Sequence, residues 1–222
     1  MFKNRKNRPC QYGQTLDLNG NYNRSHSKNS LRFKSKILTF VALLICSIGV
    51  GQKLNLDTSS SKLKWTGKEI TTKEHYGSLD FKSGFLNLDN KGMPISGIFV
   101  VDMTTLKNED VPEAYRGRLE GHLKSDDFFS TDKFPEATLE LTNSSSVNEN
   151  EYKAEALLTI KGITHPPVTF NLINNDNQWK ANLIFDRSKY DVRFRSGTFF
   201  ENLGDKLILD DIIIETDLIF NQ

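Results

Sequence analysis

Cysteine is scarce in this sequence, and its placement excludes several kinds of site. The only two cysteines, Cys10 and Cys46, both lie before residue 47. The rest of the chain therefore has no disulfide framework, no cysteine–zinc site and no thiol nucleophile. Motifs of nucleotide sites and serine hydrolases are also missing: there is no phosphate-binding loop, no Gly-x-Gly-x-x-Gly and no Gly-x-Ser-x-Gly. No catalytic residue is predicted from these patterns.

Only one uncharged hydrophobic run of any length is present. It covers residues 37–50 (ILTFVALLICSIGV) and follows lysines at positions 34 and 36. This run is too short to cross a bilayer comfortably, but it matches the hydrophobic region of a secretory signal. Small residues at Gly49 and Gly51 suit cleavage before Gln52. We therefore predict an exported protein, periplasmic or secreted, with a buried strand or an uncleaved anchor as the alternatives.

A second form of export depends on Cys46. The stretch Leu43-Leu44-Ile45-Cys46 weakly resembles a lipoprotein acylation site. The bulky Ile45 argues against it, because the cleaving peptidase prefers a small residue before the cysteine. Tethering through Cys46 is therefore the minor alternative.

Charge divides the chain into two parts. Residues 1–36 carry nine Lys or Arg and one acid, whereas the remainder carries 20 basic and 27 acidic residues. A basic arm before an acidic domain is typical of targeting, and an acidic domain repels nucleic acid phosphates. We predict a basic arm plus signal at 1–51 and one domain at 52–222, with no nucleic acid partner. The true start codon and the role of residues 1–33 stay open.

Few residues outside the arm suggest metal or acid–base chemistry. His75, His122 and His165 fall in separate segments without metal-ligand spacing, and a lone histidine is more often structural than a ligand. Asp126 and Asp127 are adjacent, so their side chains point in different directions and form a poor acid–base pair. The sequence predicts no metal site and no required cofactor.

Two arginine-containing pairs are candidates for an anion clamp. They are Asp186-Arg187 and Arg193 with Arg195. Charged groups at strand ends are more often solvated or paired locally. The simpler interpretation is therefore that these charged side chains are solvated or paired locally.

Most of the chain after Gln52 alternates between apolar and polar residues. Clear examples are Lys62–Thr66, Ala137–Thr142, Tyr152–Ile160 and Trp179–Phe185. Alternation of this kind is typical of strands with one buried face, and short connections make them antiparallel. About eight to nine strands of this length predict a closed eight-stranded barrel, with a two-sheet sandwich as the alternative.

Two details of the strand pattern concern irregularities. Gly84 interrupts the run Leu79–Phe85 and predicts a bulge or bend there. Val192 and Phe194 continue the alternation beyond Phe185. They predict another short strand.

One helix is predicted among the strands, at about residues 110–125. Asp110 is a candidate N-cap, and Pro112 suits the first turn. Apolar residues at four-residue spacing give the helix a narrow stripe of Val111, Tyr115, Leu119 and Leu123. A lone helix among strands usually covers an open barrel end or a sheet face.

Six motifs in a fixed order give the chain a family resemblance. They are Trp65-Thr66-Gly67, His75-Tyr76-Gly77, His122-Leu123-Lys124-Ser125 with Asp127-Phe128-Phe129, Phe134-Pro135-Glu136-Ala137, Leu158-Thr159-Ile160-Lys161-Gly162 with Thr164, and Asp186-Arg187-Ser188-Lys189-Tyr190-Asp191. From about Leu54 to its end, the chain resembles the YceI-like family of secreted polyisoprenoid-binding proteins. The ordered set is more specific than any single motif.

The resemblance implies an extended lipocalin-like barrel with a helical insert and an apolar tunnel. It implies binding of a long isoprenoid lipid, such as a polyprenyl carrier or quinone tail, and frequently a homodimer. Transient contact with a membrane is a further expectation. The alternatives are an enzyme acting on a lipid or quinone in the same barrel, and an envelope structural module with a filled core.

Aromatic residues at alternating strand positions, with the helix-end pair, provide the candidate lining of such a tunnel. They are Phe81, Phe85, Phe99, Phe128, Phe129, Trp179 and Phe185. Each has a simpler interpretation as a packed core residue. His75, His122 and Arg187 are the candidates for a polar mouth, although the histidines are also suited to tying loops together.

Overall fold

The computed structural model describes residues 51–175 and 178–221. The predicted arm and signal segment therefore lie outside the described residues. One helix, α1 (Glu113–Lys124), accompanies nine strands within the described part of the chain. The strands are β1 (Gln52–Leu56), β2 (Lys62–Glu69), β3 (Glu74–Leu88), β4 (Pro94–Asn108), β5 (Glu136–Ser146), β6 (Glu151–Ile160), β7 (Ile163–Asn175), β8 (Gln178–Asp186) and β9 (Ile208–Asn221).

The strands form one closed antiparallel barrel. Each strand from β2 to β9 pairs with its neighbour in sequence, and β9 pairs with β2 to close the circle. The β7–β8 pairing covers only Asn171–Asn175 with Gln178–Asn182, so toward the open end these two strands are not paired with each other. The predicted eight-stranded barrel with a helical insert is confirmed, and the sandwich alternative is wrong.

Strands β1 and β2 share one strand position between β3 and β9. Strand β1 pairs with the end of β3 and the end of β9, and β2 pairs farther along both strands. The break between them is held by Asp57, whose carboxylate accepts hydrogen bonds from Ser59 and Ser60 at 2.6–3.2 Å. Strand β1 is not predictable from the alternation, because this short segment contains only two apolar residues.

The antiparallel order gives the barrel two different ends. The β3–β4, β5–β6 and β7–β8 connections lie at one end, which we name the closed end. The β2–β3, β4–β5, β6–β7 and β8–β9 connections lie at the other, the open end, together with α1. The longest connections are therefore all at the open end, where loops most often carry function.

A bulge in β3 changes which side chains face inward. Phe81 lies opposite Val101, but Ser83 lies opposite Val100, so Lys82 is the extra residue. The bulge therefore precedes Gly84, where the sequence predicted it. One extra residue reverses the inward and outward faces beyond it. As a result Leu86 is buried and Phe85 lies on the outer face.

The region around Val192 is a buried loop, so the predicted strand there is wrong. A 3-10 turn covers Arg187–Tyr190, and Asp191 and Arg195 both have positive φ angles, 57° and 49°. An extended strand does not include left-handed residues of this kind. Val192 is fully buried, which explains why its apolar character resembled that of a strand residue.

The helix begins differently from the prediction. Pro112 occupies the N-cap position, without a side-chain capping bond. Asp110 instead accepts hydrogen bonds from the Tyr76 backbone N–H at 2.9 Å and from Asn108. The predicted N-cap therefore links the start of β3 to the end of β4. Local sequence could not distinguish these two uses of one carboxylate.

Candidate functional site

An apolar cavity of about 650 Å³ occupies the barrel interior. Side chains from all eight strand positions form its wall because alternate residues of every strand point inward. The volume falls within the range of small-molecule sites. Its strand residues include Leu63, Leu79, Phe81, Phe99, Met103, Leu139, Leu158, Phe170, Leu183, Phe185, Ile212 and Ile214.

Large packed side chains fill the barrel below this cavity, at the closed end. Trp179 is 2% exposed and stacks on Tyr152, with ring centroids 5.8 Å apart. Leu88 and Phe220 are also buried, and none of these four contributes to the cavity wall. Together they form what we name the plug: Leu88, Tyr152, Trp179 and Phe220.

Helix α1 and the segment after it cover part of the open end. Val111, Tyr115, Leu119 and Leu123 all lie on the cavity wall, so the predicted apolar stripe faces the cavity. Phe128 and Phe129 follow the helix, and their rings meet edge to face at a centroid distance of 4.9 Å. The cover is therefore apolar on its inner side.

His75 lies on the cavity wall and is held by Asp110. The His75 Nδ1 is 2.8 Å from the Asp110 carboxylate. Desolvation favours the neutral carboxyl, but the hydrogen bonds from Tyr76, His75 and Asn108 outweigh it and lower the pKa of Asp110. This arrangement ties the β2–β3 hairpin to the approach of the helix.

His122 lies on the wall between two aromatic rings. Its ring meets Phe194 at a centroid distance of 4.3 Å and Phe128 at 6.0 Å, both edge to face. Within the part of the chain that is described, its buried Nε2 has no hydrogen-bond partner. His75 and His122 thus border one cavity, and their predicted contact with a ligand head stays a prediction.

Arg187 is not a mouth residue, contrary to the prediction. It is 0% exposed and donates to the backbone carbonyls of Leu209, Val192 and Ile208 at 3.0–3.2 Å. Its guanidinium also lies 3.1 Å from Asp210. Burial lowers the pKa of Arg187, and the nearby carboxylate opposes that change. Arg187 therefore holds the β8–β9 connection against β9.

The predicted aromatic lining is partly assembled by the fold. Phe81, Phe99, Phe128, Phe129 and Phe185 lie on the cavity wall. Phe85 does not, because the Lys82 bulge turns it outward, where Lys53 Nζ lies 4.1 Å from its ring centre. Trp179 points inward but belongs to the plug. The predicted ligand contacts of the wall residues are untested.

The charged side chains of the mouth are mostly not among the residues predicted from the sequence. The wall contains Lys68, Glu69, Lys73, Arg118 and Arg195, which come from the end of β2 and the turn after it, the helix, and the β8–β9 connection. Among them only Arg195 is a candidate from the sequence, as part of the possible anion clamp with Arg193. The three segments are far apart in sequence, so no local pattern joins them.

Two other features bear on the class of site. Across residues 51–175 and 178–221, no group of three or more His, Asp and Glu side chains is arranged to hold a metal ion. Among the helices of the same residues, none has the length and apolar character needed to cross a membrane.

Comparison with protein families decides the relationship. The model of the YceI-like domain matches residues 54–220. The chain belongs to the YceI-like family. The motif resemblance is thereby confirmed, and the match covers β2 to β9 almost completely.

Two solved structures have a similar fold. Burkholderia cenocepacia BcnA is 20% identical, with a TM-score of 0.54 over 74% of this chain and 98% of that chain. A polyisoprenoid binding domain from Saccharophagus degradans, implicated in plant cell wall breakdown, is 15% identical, with a TM-score of 0.50 over 76% and 97%. These identities establish the YceI-like fold alone. No curated protein sequence matches this chain.

Proposed function

We propose that this YceI-like barrel is an exported protein that holds a long isoprenoid chain, either a polyprenyl lipid or a quinone tail. The observation that supports this most is the apolar cavity of about 650 Å³, plugged at one end and bordered by polar groups at the other. An amphiphile with a long tail and one polar head matches that distribution. Storage, transport and stress response all fit such a carrier.

The free energy of tail burial supports a binding role. Burial of one methylene contributes about 0.8 kcal/mol, so each isoprene unit contributes roughly 3–4 kcal/mol before ordering costs. A few units in a dry cavity suffice for stable binding without a hydrogen bond along the tail. Family membership and the polyisoprenoid-binding description of the Saccharophagus degradans domain agree with this class of ligand.

A direct test is extraction of lipids from protein purified gently from its native cells. We expect mass spectrometry to detect an isoprenoid in stoichiometric amount. Ala181→Phe, which fills part of the cavity, should reduce bound lipid at least about tenfold, because it removes space for roughly one unit of the tail. Ile184→Phe is the matched control, since Ile184 lies on the outer face of the same strand and is 58% exposed. Repeatedly empty wild-type protein, or equal loss in both variants, would contradict the proposal.

Export is a separate part of the proposal and rests on residues 37–50. Cell fractionation should place the protein outside the cytoplasm, and its mature N-terminus should be Gln52. Deletion of 37–50 should retain the protein in the cytoplasm. A lipid-modified Cys46 would instead support the lipoprotein alternative. Homodimer formation and transient membrane contact stay predictions.

The two other function classes differ in their support. The cavity contradicts the filled-core module. The enzyme alternative rests on the His75–Asp110 pair, but Asp110 is also engaged by Tyr76 and Asn108, which suits a structural tie. His75→Ala and His122→Ala should preserve lipid binding, whereas loss of a lipid or quinone turnover in these variants would favour an enzyme.

A further inference from the structure

The charged residues of the cavity wall are almost all cations. Lys68, Lys73, Arg118 and Arg195 carry positive charge, and Glu69 is the only acid among the wall residues described. We name the four cations the collar. They border a cavity whose other wall residues are mostly apolar, so the positive charge is concentrated where a ligand head would lie.

The collar does not simply reflect composition. The chain from residue 37 onward carries 20 basic and 27 acidic residues. A random sample of its charges would therefore be slightly acidic. A cationic mouth on an acidic domain focuses anions toward that mouth and away from the remaining surface.

Three of the four collar cations have no ion-pair partner among the described residues. Lys68 lies 3.5 Å from Glu74, with both side chains about half exposed. For Lys73, Arg118 and Arg195, no carboxylate lies within ion-pair distance among the described residues. Arg195 instead lies over the Phe194 ring, 5.1 Å from its centre, and Phe194 itself lies on the cavity wall.

The collar joins three segments around one opening. Arg118 lies on helix α1, directly before Leu119 of the apolar stripe, and it also lines the cavity. The backbone of Arg195 is left-handed, with φ of 49°, and its carbonyl accepts the Ile208 N–H at 3.0 Å. Ile70 N–H donates to the Leu207 carbonyl at 3.0 Å, which ties the β2–β3 turn to the β8–β9 connection. The cations thus have a fixed backbone frame.

We infer that the collar recognises an anionic phosphate head, so that the preferred ligands are prenyl phosphates and not neutral prenyl alcohols or quinones. This inference rests on the proposed function, because the tail must first occupy the cavity. Guanidinium groups bind phosphate oxygens in pairs, and lysine adds a compact positive charge. A neutral head would leave Lys73, Arg118 and Arg195 without an anionic partner.

The test compares two probes with the same tail, geranylgeranyl monophosphate and geranylgeraniol. At about 0.1 M salt, where the screening length is about 10 Å, we expect the phosphate to bind roughly 10- to 100-fold more tightly. The difference should shrink as salt is raised. Inorganic phosphate at the same concentration should not displace either probe, because it has no tail.

The variant for this test is Lys73→Gln, Arg118→Gln and Arg195→Gln combined. It should lose most of the preference for the phosphate and retain wild-type binding of geranylgeraniol, which also serves as the check on folding. The matched control is Lys62→Gln, Lys91→Gln and Lys153→Gln. It removes three exposed lysines that do not line the cavity and changes the net charge equally, so it should keep the preference.

The outcomes separate the two proposals. Equal binding of both probes, or a preference that survives in the collar variant or disappears in the control, would overturn the phosphate inference and leave the lipid-binding barrel intact. Displacement of the prenyl phosphate by inorganic phosphate alone would show an anion site independent of lipid and would also overturn the inference. Failure of both probes to bind wild-type protein would overturn the proposed function itself.

Discussion

The two ends of the barrel use the same strands in opposite ways. At the closed end the inward positions hold Tyr152, Trp179 and Phe220, which fill the interior. Toward the open end, the same strands present Leu158, Leu183 and Ile214 around a cavity. Strands β8 and β9 stay paired from one end to the other, so the difference lies in side-chain size and in the cover above.

This difference separates stability from binding. The plug is packed on all sides, so a lost side chain there leaves a void. The wall residues already face a space on one side, so they contribute less to stability and are available to a ligand. The closed end therefore contributes most to the stability of the fold. The side chains at the open end can differ without loss of the fold and can thus determine which ligand binds.

The largest effect should follow removal of the central plug residue. Trp179→Ala should lower the free energy of unfolding by about 3–5 kcal/mol, because a large buried side chain is lost and a void remains. Phe129→Ala, on the partly exposed cavity wall, should cost only about 1–2 kcal/mol for ligand-free protein. Urea denaturation of lipid-stripped samples measures both. Equal losses of unfolding free energy in the two variants would contradict the proposal that the closed end provides stability and the open end provides binding.

Two arginine substitutions extend this comparison, and each should change the free energy of unfolding less than Trp179→Ala does. Arg187→Met should cost about 3 kcal/mol, because three carbonyls and Asp210 lose their buried donor. Arg195→Gln should stay within about 0.5 kcal/mol of wild type, since its side chain is exposed. The same denaturation measurement applies. A tolerated Arg187→Met would show that the β8–β9 connection is held by other contacts.

The barrel itself was predictable from the sequence because its signal is local. Alternation in Tyr152–Ile160 or Trp179–Phe185 needs only a few residues to define the buried face. The helix stripe was likewise predictable, and Val111, Tyr115, Leu119 and Leu123 do face the cavity. These properties depend on near neighbours in the chain.

Three predicted site residues lie elsewhere in the structure, because their positions depend on features that the alternation of apolar and polar residues does not encode. Phe85 lies outside because one extra residue at Lys82 reversed the faces of β3. Trp179 has the predicted direction, but its depth along the barrel axis cannot be derived from a period of two. Arg187 resembles a surface arginine in sequence, and only the folded chain brings three carbonyls to it.

A carboxylate at the open end provides a pH-dependent comparison. The pKa of Asp110 is lower in the folded than in the unfolded chain. Its stabilisation is therefore complete above the unfolded value of about 3.9 and is lost as pH falls through the lower folded value. Asp110→Asn should cost about 1–2 kcal/mol at pH 7, and this deficit should shrink below about pH 4.

Urea denaturation at several pH values tests the Asp110 prediction. Asp132→Asn is the matched control, since Asp132 is an exposed acid at the same end of the barrel. It should cost little at any pH. A deficit for Asp110→Asn that stays constant down to pH 2 would show that the carboxylate contributes through shape and not through its charge.

The smallest effect concerns the corresponding aspartate near the closed end. Hydrogen bonds from the side chains of Ser59 and Ser60 lower the pKa of Asp57 from 3.8 to about 2. Ser59→Ala with Ser60→Ala should raise it toward its ordinary value, as followed by NMR titration of the carboxyl carbon, while Asp110 titrates unchanged. Asp57 is only partly buried and its interactions are screened by solvent, so little change in stability is expected. An ordinary Asp57 pKa in the wild type would mean that these serines do not hold the break between β1 and β2. The shared strand position would then depend on the pairing of β1 with β3 and β9 alone.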